Sequence, residues 1–252
     1  MDEDLLGAPH PHWGDQLLHE VDRAFEMTGA ATPGWPDPHP DRNPGNDEYS
    51  RVTDVGKYRI LDARVDAWVA VLEAAGIARS VEVSAEPWVA GLRPPADHQR
   101  VRRLEPAADG GLCLVVAVTL VDGGPFGLDV GTARAGEAPV LLAMVPDCGC
   151  DACDSGSADL LAELDGWVLT VARGGVVRAG CGEDVATRTW DGWSLRNGAD
   201  PSWLDVVATV PGWMDTWVGT AWLSRHDTER NAPELLGSRD IRPLRRRSSD
   251  PG

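Results

Sequence analysis

Three cysteines within six residues, in Asp147-Cys148-Gly149-Cys150-Asp151-Ala152-Cys153-Asp154, are the densest set of chemically capable side chains in the chain. Thiolates are soft ligands, and a loop bent at Gly149 could set three sulfurs around one Zn²⁺ at about 2.3 Å. A structural zinc takes four ligands. Cys181, after the next helix and strand, is the expected fourth, and Asp147, Asp151 or Asp154 could supply an oxygen instead. Two other readings of the same residues stand beside this one. Cys150 and Cys153 form a CxxC ahead of a predicted helix, where a helix dipole would favour the thiolate of a redox pair. The three neighbouring aspartates oppose that by raising thiol pKa values, and a third cysteine invites scrambling. Alternatively the sulfurs simply pack in a tight strand-to-helix turn, with the acids capping the helix.

Other catalytic patterns are missing or incomplete. A zinc deaminase would need H-x-E before P-C-x-x-C, and none of the six histidines supplies it. The text nearest to a nucleophile elbow, Asp154-Ser155-Gly156-Ser157-Ala158, lacks the flanking glycines. His226-Asp227 with Glu229 reads as solvated surface, and the acidic, Pro-rich stretch holding His39 offers no rigid ligand set. Six of the 11 tryptophans (Trp190, Trp193, Trp203, Trp213, Trp217, Trp222) crowd one segment. They would suit either an aromatic ligand cleft or core packing.

The elements that must position the cysteines follow from periodicity. Trp13, Leu17, Leu18, Val21 and Phe25 lie on one helical stripe, as do Tyr58, Leu61, Val65, Trp68, Val69 and Leu72. Gly76 stands where a left-handed residue would end the second helix. Five prolines across residues 29–48 predict a long loop. Short apolar runs predict strands at Ser80 to Ser84, Trp88 to Leu92, Leu112 to Val121, Phe126 to Val130 and Val140 to Val145. Leu160, Leu161, Leu164, Trp167, Val168 and Val171 predict a third helix, with Asp154, Ser155 or Ser157 as its N-cap and Gly174-Gly175 as its stop. Strands at Val176 to Ala179 and Val185 to Trp190 follow. The expected fold class is α+β, with N-terminal helices, a mostly antiparallel sheet and a helix after the cysteine loop. The expected organisation is an N-terminal helix and loop (1–48), a core (49–237) and a disordered basic tail (238–252).

In its CGCDACD segment, Cys148 to Asp154, set between a strand and a helix, the chain resembles a largely actinobacterial family, domain of unknown function 6226. The resemblance implies membership and carries no reaction or cofactor onto any residue.

Composition narrows the function classes. Apolar residues make up 42% of the 252, enough to fill a core. A net charge of −17 opposes general nucleic-acid binding. The longest apolar run, Leu112 to Val121, is too short to span a bilayer, and Met1-Asp2-Glu3-Asp4 does not begin like a secretory signal. A cytoplasmic location and five reduced cysteines are therefore expected. The sequence favours a non-catalytic binding or accessory protein whose cysteine loop packs or holds zinc. A thiol redox enzyme using Cys150 and Cys153, and a small-ligand protein with a Trp-lined cleft, are the alternatives. No partner is indicated.

Overall fold

The computed structural model describes residues 11–83, 88, 98–121, 124–190, 192–205 and 215–223. Helix α1 (Pro11–Thr28) packs on α2 (Arg59–Ala74), and α3 (Ser157–Ala172) joins them. The three helices meet the predicted stripes. Val21, Leu61, Leu72 and Leu164 are fully buried, each worth roughly 1.5–3 kcal/mol of transfer free energy. Both glycine stops are observed. Gly76 (φ +68°) and Gly174 (φ +75°) are left-handed, and the next amides, of Ile77 and Gly175, return to the carbonyls of Leu72 and Thr170.

Five strands form an antiparallel meander in the order β1-β2-β3-β4-β5: Ala78–Val83, His98–Pro106, Cys113–Val121, Gly124–Ala133 and Val140–Val145. A second antiparallel sheet is ordered β8-β7-β6-β9, with β6 Val177–Cys181, β7 Asp184–Thr189, β8 Gly192–Arg196 and β9 Asp215–Val218. The α+β class is as expected, with two sheets where the sequence suggested one. β3 is apolar on both faces because both are covered. Leu114, Val116 and Val118 join the helical core, while Val115 and Ala117 join a smaller cluster with Val101 and Ala133, capped by Val83 and Trp88.

Strand β2 escapes sequence reading for a physical reason. Its text, His98-Gln99-Arg100-Val101-Arg102-Arg103-Leu104-Glu105-Pro106, shows no alternation of apolar and polar residues, yet Arg102 is only 2% exposed. Its guanidinium bonds Asp62 and Asp66 of α2, and Arg103 donates to the carbonyls of Arg134 and Glu137. Paired charges here occupy positions that apolar side chains would normally fill. The predicted strand Trp88 to Leu92 lies outside the described residues except for Trp88, which is in no strand; the tail 238–252 lies outside them entirely. Among the described residues, no helix is long and apolar enough to cross a membrane.

Candidate metal centre

The cysteine loop leaves β5 and ends at α3. Between them Asp151–Cys153 forms a single 3-10 turn with Cys150 as its N-cap. The CxxC therefore lies on this turn, and α3 begins only at Ser157. Two features fix the turn. Gly149 sits so close to Phe126 that a Cβ would fall about 2.0 Å from the ring, which itself packs edge-on against Tyr58. Tyr58 Oη donates to the Gly149 carbonyl at 3.3 Å.

The Sγ atoms of Cys148, Cys150 and Cys153 all lie within 4.8 Å of one another. Cys148 and Cys150 are 3.3 Å apart, and all three are free thiols. Sulfurs on a tetrahedral zinc at 2.3 Å stand about 3.8 Å apart, so the trio fits one ion with small adjustments. Cys150 is buried, and Cys148 and Cys153 are exposed. Burial works against ionisation of Cys150. Hydrogen bonds from the Cys148 and Cys153 thiols and from the backbone N–H groups of Cys153 and Ala152 outweigh it, and the thiol lies below its ordinary 9.0. Cys153, sharing its proton with Cys150 and Cys148, is pushed up to about 12. Three neighbouring thiols, one of them braced by backbone N–H donors, are a ligand set in which a cation would replace protons.

The aspartates behave differently from their sequence reading. Asp151 accepts from Arg51 Nε (2.7 Å) and from the Thr53 backbone N–H (2.9 Å) and hydroxyl (2.5 Å). Asp154 accepts from Lys57 Nζ (2.5 Å), Trp35 Nε1 (2.8 Å) and the Gly156 N–H (2.9 Å). Neither caps α3, whose N-cap is Gly156 with no side-chain cap bond; the backbone of Asp37 approaches that glycine too closely for a Cβ. Ser157 exchanges hydrogen bonds with the backbone of Trp35. The acids thus clasp the cysteine loop to residues 35–58 and are not free to burden the thiols. Cys181, at the end of β6 in register with Asp184, is exposed and is not one of the clustered sulfurs.

The model of a family described as "Family of unknown function (DUF6226)" matches residues 21–231. The chain belongs to the DUF6226 family. Searches of curated proteins and of solved structures find no match. The matched span of the DUF6226 protein includes the cysteine loop and both segments clasped to it.

The remaining candidates have other partners or lie elsewhere. Trp217 and Trp222 belong to the core; Trp222 Nε1 donates to the Leu112 carbonyl, and Arg134 and Arg178 stack on Trp217. Arg173 stacks on Trp190, Trp203 packs on a small cluster around Leu204, and Trp193 is 61% exposed on β8. Trp213, His226, Asp227 and Glu229 lie outside the described residues. His39 meets Glu48, which Arg42 also binds. Sequence reading missed Arg51, Thr53 and Lys57, whose only signal was that Lys57 is the sole lysine of the chain.

The clasp has a pH signature. Hydrogen bonds from Thr53 and Arg51 hold Asp151 down to about 2 from its ordinary 3.8. A depressed carboxylate stabilises the fold above its unfolded value and loses that contribution as pH falls through the folded one. The stability difference between parent and Asp151→Asn proteins, measured by denaturant titration, should therefore be full above about pH 5, fall progressively below it and vanish only below about pH 2. A difference independent of pH would show that Asp151 acts only through shape.

Proposed function

We propose that this DUF6226 protein is a non-catalytic binding or accessory protein whose loop holds a thiophilic divalent ion, zinc above all, through Cys148, Cys150 and Cys153. A cytoplasmic, reducing setting suits thiol ligands. The supporting observation is the convergence of three free sulfurs within 4.8 Å on a turn that also aims backbone N–H groups at Cys150. Soft sulfur donors favour zinc over magnesium or calcium. An ion here would tie the β5–α3 connection to residues 51–58 through the Asp151 and Asp154 clasps. Its contribution is then architectural, fixing a surface to which a partner or ligand binds.

The test is metal analysis by mass spectrometry of full-length protein prepared without chelator, with thiols counted before and after EDTA. About one zinc per chain, and thiols that react quickly only after chelation, are expected. Metal-free protein in which Cys150 and Cys153 interconvert between dithiol and disulfide would instead establish the redox reading. Metal-free, inert thiols would leave packing as their role.

A further inference from the structure

Cys148 and Cys153 also line a cleft of about 120 Å³ between the loop and the start of α3. Asp147, Asp159, Glu163 and Tyr58 share its walls. Asp159 and Glu163 are one turn apart on α3, and burial together with Asp147 pushes Glu163 above its ordinary 4.5. Among the described residues, the lining of the cleft thus carries several carboxylates and no basic side chain. Asp154, also in its wall, is committed to Lys57 and Trp35.

Among the described residues, no carboxylate oxygen and no fourth sulfur joins the three sulfurs within 4.8 Å. Asp151 is engaged by Arg51 and Thr53, Asp154 by Lys57 and Trp35, and Cys181 is not in the cluster. Two of the three cysteines line the cleft, so an ion bound to all three is reached from that side. We infer that the centre is a three-sulfur site whose fourth position is exchangeable and opens on this cleft, and that the cleft selects an uncharged nitrogen donor, an imidazole or amine, over an anion. This rests on the metal reading above. Three thiolates on a divalent ion leave the centre at −1, and Asp147, Asp159 and Glu163 add negative charge around the open position. An incoming anion meets repulsion from all of them, whereas a neutral imidazole meets none.

The experiment uses the full chain loaded with Co²⁺, which reports its ligands through its visible ligand-field bands, titrated with imidazole and, separately, with azide. Imidazole is expected to shift the bands saturably, with azide binding at least about tenfold more weakly at low salt. Glu163→Gln, and independently Asp159→Asn, should narrow that gap by strengthening azide binding. Bands unmoved by imidazole would overturn the proposal. So would bands that change in Asp147→Asn or Glu163→Gln before any ligand is added, since a protein carboxylate would then hold the fourth position. Equal affinities for azide and imidazole would overturn the selectivity. A parent protein showing no sulfur-to-cobalt charge transfer would remove the metal reading itself, an outcome distinct from the others.

Discussion

Cys150→Ser is expected to lose the ion completely and to melt where the EDTA-treated parent melts. Cys150 is the buried member of the trio and the sulfur towards which the other two thiols and two backbone N–H groups point. A serine hydroxyl is a poor thiolate substitute for zinc, and a chelate of three sulfurs reduced to two has lost its anchor. Metal that binds only the folded state stabilises it by about 3–4 kcal/mol when present at roughly 100 to 1,000 times its dissociation constant. For a chain of this size that corresponds to about 6–16 °C in melting temperature. EDTA should therefore lower the parent's melting temperature by that order and leave the variant unmoved. Thermal melts of both proteins, with and without chelator, check this. Identical melts of all four samples would mean that no ion contributes to the fold.

Asp165→Ala should produce the largest loss of stability that does not involve the cysteines. Asp165 on α3 is buried, accepting from Arg64 Nε (3.0 Å) and Nη2 (2.6 Å) and from Trp68 Nε1 (2.6 Å), both residues of α2. Arg64 is itself buried, and it also pairs with Asp22 of α1 at 2.8 Å, a solvent-exposed carboxylate. Burial disfavours the Arg64 charge, but its hydrogen bonds and attraction to Asp165 and Asp22 hold its pKa above the ordinary guanidinium value. Removing Asp165 leaves a buried guanidinium without its bidentate partner and an indole N–H without an acceptor. Breaking such a pair from one side costs about 3–5 kcal/mol, a large share of the roughly 5–15 kcal/mol that a domain has. Urea titration should show a lower midpoint with an unchanged slope. Asp22→Ala, at the exposed end of the same network, should cost no more than about 1 kcal/mol. The Arg64→Met, Asp165→Ala double variant should recover part of the loss, because no unpaired charge stays buried. A loss below about 1 kcal/mol for Asp165→Ala would show that water reaches Arg64 freely.

Whatever depends on neighbours along the chain is legible in the amino-acid order. The 3.6-residue stripes of Trp13 to Phe25, Tyr58 to Leu72 and Leu160 to Val171 specify three helices, because each stripe can be buried in only one way. Gly76 and Gly174 mark helix ends, because a left-handed residue is cheap only at glycine. The spacing of Cys148, Cys150 and Cys153 brings three sulfurs together in one turn of chain, which is why the cluster was legible. The CGCDACD segment also carried the family. The rest depends on contacts made between distant parts of the chain. Strand β2 exists because Asp62 and Asp66, about 40 residues earlier, neutralise Arg102 inside the fold. The pairings of Asp151 with Arg51 and of Asp154 with Lys57, which turn presumed helix caps and thiol-repelling charges into a clasp, cross about 100 residues of chain. Cys181, plausible as a ligand by spacing, ends β6 opposite Asp184 and is not among the sulfurs that lie within 4.8 Å of one another. Each of these is a charge or sulfur whose partner is brought to it by folding, and such a partnership leaves no periodic trace in the chain on either side of it.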